Sequence, residues 1–127
     1  MQKCSILYLD DEQRLLDIFE EMFGDSYDVK TASTVSEARS VLAECGVDII
    51  ISDQLMPEIE GTEFLREAAA TCPDSFRIML TGHAGVGQML PEISSGIIQL
   101  FVAKPWKEEQ MRQILERAAA SLDLRRP

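Results

Sequence analysis

Apolar residues recur along this chain in two alternating patterns. Short, nearly continuous runs, Ser5-Ile-Leu-Tyr-Leu9, Val47-Asp-Ile-Ile-Ile-Ser52, Phe76-Arg-Ile-Met-Leu-Thr81 and Gln99-Leu-Phe-Val-Ala103, have the length and character of strands covered on both faces. A fifth, Tyr27 to Ala32, alternates Tyr27, Val29 and Thr31 with Asp28 and Lys30, which predicts an edge strand with one wetter face. Between them, apolar positions recur at helical spacing. Glu12 to Phe23 carries Leu15, Leu16, Phe19, Met22 and Phe23 against Arg14, Asp17, Glu20 and Glu21, with Gly24 as its stop. Thr34-Val-Ser-Glu37 is a capping box opening a helix that turns Ala38, Val41, Leu42 and Cys45 inward and stops at Gly46. Gly61 to Thr71 buries Phe64, Leu65, Ala68 and Ala69 and ends before Pro73; Trp106 to Leu122 aligns Met111, Ile114, Leu115, Ala118, Ala119 and Leu122. Residues 85–95 stand where a further helix belongs, but Gly85, Gly87 and Pro91 predict that it is short, kinked or late-starting near Leu90, with 84–89 as loop. Five βα units follow, hence a parallel sheet with right-handed crossovers and helices on both faces.

Composition narrows this to one domain. The chain has 127 residues, 46% of them hydrophobic, in the usual range for a single core. A formal charge of −10 disfavours direct binding to nucleic acid or an anionic membrane. No apolar run is long enough to span a bilayer and no secretory leader is visible, so a cytoplasmic protein is expected. Cys4, Cys45 and Cys72 are widely spaced without a C-x-x-C, and His83 is the single histidine. Neither a disulfide framework nor a zinc site is expected, and metal chemistry must rest on oxygen ligands.

The chemistry lies at the strand ends. Asp10 and Asp11 close the first apolar run, Asp53 the third and Lys104-Pro105 the last. In a parallel sheet those ends share one rim, where open α/β folds bind ligands. Crowded carboxylates repel one another, so the cluster is costly without a cation. Magnesium suits a site of few carboxylates completed by water and phosphate. Asp53 is then the candidate nucleophile, able to take a phosphoryl group as an acyl phosphate. Lys104 would pair with phosphoryl oxygen, Thr81 would donate its hydroxyl, and the Gly82 backbone N–H can approach closely. Each piece alone has an ordinary reading, such as an acidic pair at a helix start or a solvated rim lysine. Those readings do not explain why every polar residue falls at the same end of its strand.

Taken in order, Asp10-Asp11, Asp53 with Met56-Pro57 and Gly61, Thr81-Gly82 and Phe101-x-x-Lys104-Pro105 resemble the response-regulator receiver domain of two-component signalling, the CheY-like family, over essentially the whole chain. The resemblance implies a CheY-like, flavodoxin-like three-layer sandwich whose five-stranded parallel sheet has order 2-1-3-4-5 and carries five helices. It implies a receiver over residues 1–122, with 123–127 a tail or the start of a linker to an output domain. It further implies Mg2+ (Mn2+ as the alternative) held directly by Asp11 and Asp53, through water by Asp10, and by the Leu55 carbonyl. Thr81 and Phe101 are the expected switch pair, and Lys104–Pro105 the expected cis peptide.

The implied partners are a sensor histidine kinase or histidine phosphotransfer protein and a downstream output domain or effector, with a phosphorylation-dependent dimer as a further state. The expected kinase-docking surface is the first helix near Gln13, Arg14, Leu15 and Ile18, with Pro105 and Trp106. The implied role is a signalling phospho-acceptor and not a turnover enzyme. Apolar Leu55 and neighbouring His83 flank the path of attacking water, and Leu55 predicts slow self-hydrolysis. Two alternatives stand beside this reading. A haloacid-dehalogenase-type phosphatase also uses a strand-end aspartate, but expects D-x-D-x-T where this chain has Asp53-Gln-Leu-Met. A phosphate-independent pseudo-receiver is disfavoured because no member of the acceptor set is missing. The stretches Leu80 to Ala84 and Phe101 to Trp106 also look somewhat like receivers fused to cyclic-dinucleotide phosphodiesterase or kinase modules.

Overall fold

The apolar runs form β1 (Ser5–Leu9), β2 (Asp28–Ala32), β3 (Ile49–Asp53), β4 (Phe76–Thr81) and β5 (Leu100–Ala103). The computed structural model describes residues 3–44, 46–54, 56–82 and 95–125. All strand pairs are parallel and the order is β2-β1-β3-β4-β5, as expected, with β2 at an edge. The pairings Leu9↔Ser52, Asp53↔Leu80 and Thr81↔Ala103 bring the carboxyl ends of four strands level. Asp10, Asp53, Thr81 and Lys104 therefore stand along one rim.

Four helices lie among the described residues: α1 (Gln13–Phe23), α2 (Val35–Leu42), α3 (Gly61–Thr71) and α4 (Glu108–Arg125). The helix expected at 85–95 and the loop at 84–89 fall outside the described residues, so four helices and not five are described. Strand alternation sorts the core into two layers. Leu7, Leu9, Ile50 and Met79 pack with Val35, Ala38 and Leu42 of α2 and Phe64, Leu65 and Ala68 of α3. Ile6, Tyr8, Ile49, Ile51, Ile78, Leu80 and Val102 pack on the other side with Leu16, Phe19 and Phe23 of α1 and Met111, Leu115, Ala118 and Leu122 of α4. The isoleucines of β3 are fully buried because helices cover both faces of this central strand.

Several boundaries shift. Glu12 stands at the N-cap of α1 instead of inside it, with its N–H held by Asp10 Oδ1 at 3.0 Å. At α2 the Thr34–Glu37 capping box is formed, but the helix ends at Leu42, before Gly46; Cys45 lies outside the described residues. β3 begins at Ile49, just after Asp48, whose carboxylate accepts the Ser5 N–H at 2.9 Å while its own N–H donates to Ser5 Oγ at 3.0 Å. α4 starts at Glu108, after Trp106 and Lys107, and runs past Leu122 to Arg125. At the opposite sheet end, buried Arg77 of β4 donates to the carbonyls of Ser75 at 2.9 Å, Gly96 at 3.0 Å and Ile97 at 2.7 Å. It clamps the α3–β4 turn to the lead-in of β5. No helix among the described residues is long and apolar enough to cross a membrane.

Candidate phosphoryl and metal site

The rim is built from strand ends. Asp10 follows β1 with no exposed surface, anchored by its N–H to the Ala32 carbonyl at 3.1 Å. Its Oδ1 accepts from Glu12 N–H at 3.0 Å; its Oδ2 accepts from Tyr8 Oη and Lys104 Nζ, each at 3.1 Å. A buried carboxylate needs such partners to remain charged. Asp53 ends β3, is buried, and has Oδ2 at 3.2 Å from the same Lys104 Nζ. Asp11 is exposed beside them. Carboxylate oxygens of Asp10, Asp11 and Asp53 all lie within 4.8 Å of one another.

Lys104 is aimed by its backbone. Its N–H donates to the Thr81 carbonyl at 2.9 Å, continuing the β4–β5 ladder, and Lys104–Pro105 is cis, as expected. The ammonium thus comes to lie between two carboxylates. Burial lowers its pKa, but hydrogen bonds to and charges of Asp10, then Asp53, outweigh that and leave it raised. Three carboxylates facing one ammonium leave a net negative pocket of hard oxygen donors. That donor set, Asp10, Asp11 and Asp53, could hold a hard divalent cation such as magnesium.

Thr81, the last residue of β4, is buried next to this cluster, and Gly82 is exposed with open space where a Cβ would stand. Phe101 is half-buried against the α2/α3 layer. Leu55 and His83 lie outside the described residues. Gly61, by contrast, is held by close approach: its N–H donates to the Gln54 carbonyl at 2.9 Å, and a Cβ there would overlap the Asp53 carbonyl. Gln54 itself ties β3 to β4 through Leu80 O at 3.0 Å, bracing the acceptor loop without having been singled out by motif.

Tyr8 is the residue that sequence reasoning missed. It sits in β1 among aliphatics, fully buried, yet its hydroxyl reaches the rim. Burial, then the Asp10 charge, pushes the phenol far above its ordinary range, so it stays a protonated donor. The signal was its spacing, since residues two apart on a strand share a face.

The chain matches the response regulator receiver domain profile over residues 6–116. It is 29% identical to the hydrogenase transcriptional regulatory protein HoxA of Cupriavidus necator, covering 98% of this chain and 27% of that protein. It is 28% identical to the C4-dicarboxylate transport transcriptional regulatory protein DctD of Rhizobium meliloti, covering 90% of this chain and 25% of that one. The chain thus spans about a quarter of the length of these curated relatives. A response regulator receiver domain protein from Clostridium thermocellum superimposes with a TM-score of 0.88 at 26% identity, covering 97% of this chain and 99% of that one. With the acidic rim, the bridging lysine and the profile in agreement, the chain belongs to the response regulator receiver domain family of two-component systems.

Proposed function

We propose that Asp53 is the phospho-acceptor of a Mg2+-dependent switch supplied by a sensor histidine kinase or a histidine phosphotransfer protein. The observation that carries this is the Lys104 ammonium 3.2 Å from Asp53 Oδ2, inside a cluster of three carboxylates. An Asp53 oxygen attacks phosphorus of a phosphohistidine. The O–P bond forms, and the P–N bond breaks with its electron pair passing to the imidazole, which is then protonated. Lys104 pairs with the phosphoryl oxygens, while the Thr81 hydroxyl and Gly82 N–H supply further donors. A divalent cation would be held by Asp11, Asp53 and the Leu55 carbonyl, with Asp10 acting through water, and would supply charge neutralisation at the rim.

Switching follows from the new bonds. Thr81 draws toward the phosphoryl group and Phe101 turns further into the α2/α3 layer, a two-state packing change. The kinase docks on α1 at exposed Gln13 and Arg14 and half-buried Leu15 and Ile18, beside Pro105 and Trp106. Transcriptional-regulator names among longer relatives favour an output region elsewhere on a longer chain, reached through residues 123–127. The receiver profile favours this reading over the phosphatase alternative.

Acetyl phosphate with Mg2+ tests the chemistry. The wild type is expected to gain one acid-stable, hydroxylamine-labile phosphoryl group, lost in Asp53→Asn and in EDTA. Equal labelling of Asp53→Asn would overturn the assignment.

A further inference from the structure

We infer that Tyr8 is a positioning residue of the rim, holding the Asp10 carboxylate in place when Lys104 turns from it to a phosphoryl group. This rests on the acceptor reading above. Asp10 has no exposed surface and, among the described residues, three donors: Glu12 N–H on Oδ1, and Tyr8 Oη and Lys104 Nζ on Oδ2. Lys104 is shared with Asp53, so it is the donor that phosphorylation claims. After that transfer, the hydroxyl of Tyr8 is the one side-chain donor of the three that remains. Without it a buried charge would keep Glu12 N–H alone and would be free to rotate away from the cation's water shell.

The aromatic layer makes Tyr8 suited to this work. Its ring packs edge-on against Phe19 with centroids 4.8 Å apart and an interplanar angle of 64°. Phe19 is in turn fixed by Phe23 at 4.9 Å and Trp106 at 6.1 Å. A phenol held by this cluster has its hydroxyl aimed by packing from β1, α1 and the start of the α4 lead-in. An aliphatic side chain would fill the same layer and leave Oδ2 dependent on Lys104. The neutral donor and the charged one therefore act in opposite senses on the metal: Tyr8 orients an outer-sphere carboxylate, whereas Lys104 competes with the cation for it.

Calorimetric titration of Mg2+ into wild type, Tyr8→Phe and Tyr27→Phe tests this, together with acetyl-phosphate labelling rates and melting temperature in EDTA. Tyr27→Phe removes a half-buried phenol of the same layer away from the rim. Tyr8→Phe is expected to slow labelling at saturating Mg2+ about tenfold and, in titrations with the phosphoryl mimic beryllofluoride drawing Lys104 from Asp10, to raise the Mg2+ dissociation constant by a similar factor. Tyr27→Phe is expected to match wild type in both. Should Tyr8→Phe not fold, Tyr8→Leu carries the same expectation for affinity. An unchanged Mg2+ constant and labelling rate, with only a lower melting temperature, would make Tyr8 a packing residue and overturn the inference. If wild type binds Mg2+ but takes no phosphoryl group, the acceptor reading fails and the ratio of Mg2+ constants alone decides the role of Tyr8. If wild type binds no Mg2+, both are overturned.

Discussion

Lys104 makes the site intelligible residue by residue, because one ammonium serves two carboxylates and must leave one or both to engage phosphate. Its charge opposes a divalent cation at the same oxygens. Lys104→Met is therefore expected to bind Mg2+ more tightly, by calorimetry, while labelling with acetyl phosphate drops by at least tenfold. The stability consequence has a definite sign. A lysine whose pKa is raised on folding contributes stability that is complete below its unfolded value, near 10.4, and is lost as pH climbs through the higher folded value. Denaturation in EDTA should show a steeper alkaline decline in wild type than in Lys104→Met, whose remaining decline comes from the buried Tyr8 phenol, also raised on folding. Gly61 is as exacting for steric reasons. A Cβ there would overlap the Asp53 carbonyl and approach Gln54 Cα to 3.0 Å, and backbone cannot swing aside as a side chain can. Gly61→Ala is expected to cost about 1–3 kcal/mol in chemical denaturation and to weaken Mg2+ binding, since the displaced strand end carries Asp53.

The elements show which signals reach the fold from local sequence. β1, β4 and α3 have the bounds their apolar patterns predict, because strands and helices buried against a sheet must present those periods. α2 opens where Thr34 and Glu37 cap each other, a purely local interaction. Its end was not legible: Gly46 is a generic stop, while the helix is already finished at Leu42, where Cys72 Sγ donates to the Leu42 carbonyl across 30 positions of sequence. β3 starts two residues after its apolar run begins at Val47, although the Asp48 backbone still bonds to Ser5 and Phe76 on either side. Tyr8 shows the same limit at the site, because a phenol in an aliphatic strand is ordinarily packing and only the fold brings Asp10 and Lys104 to its tip. The α2–α3 contact carries a pH prediction. Arg39 forks onto Glu67 at 3.0 and 2.8 Å, and its hydrogen bonds hold the Glu67 carboxyl below the usual range. A lowered carboxylate adds stability above its unfolded value, about 4.3, and surrenders it as pH falls through the folded value. Glu67→Gln should melt below wild type at pH 7 and converge with it near pH 2, by a small margin because the side chains are 52% and 44% exposed.

Across the whole molecule, the strand order is what turns separate motifs into one site. β1 lies between β2 and β3, and β4 between β3 and β5, so residues 94 positions apart, Asp10 and Lys104, meet at hydrogen-bonding distance. Apolar periodicity alone does not specify that order; the family resemblance did. The same convergence concentrates negative charge in a protein already at −10, and the rim should therefore limit stability when no cation is present. Asp11 gives the cleanest probe, because it is exposed and its carboxylate adds to the repulsion without joining the Lys104 bridge. In EDTA, Asp11→Asn is expected to melt a few degrees above wild type, and the difference should shrink as salt screens the repulsion. With Mg2+ the order reverses. Wild type gains about 2.7 kcal/mol at a hundredfold excess over its dissociation constant, whereas Asp11→Asn, lacking a direct ligand, gains little at the same concentration. Thermal melts of the two proteins across a Mg2+ series should cross; parallel curves would mean that the carboxylates at this rim neither strain the fold nor hold the ion.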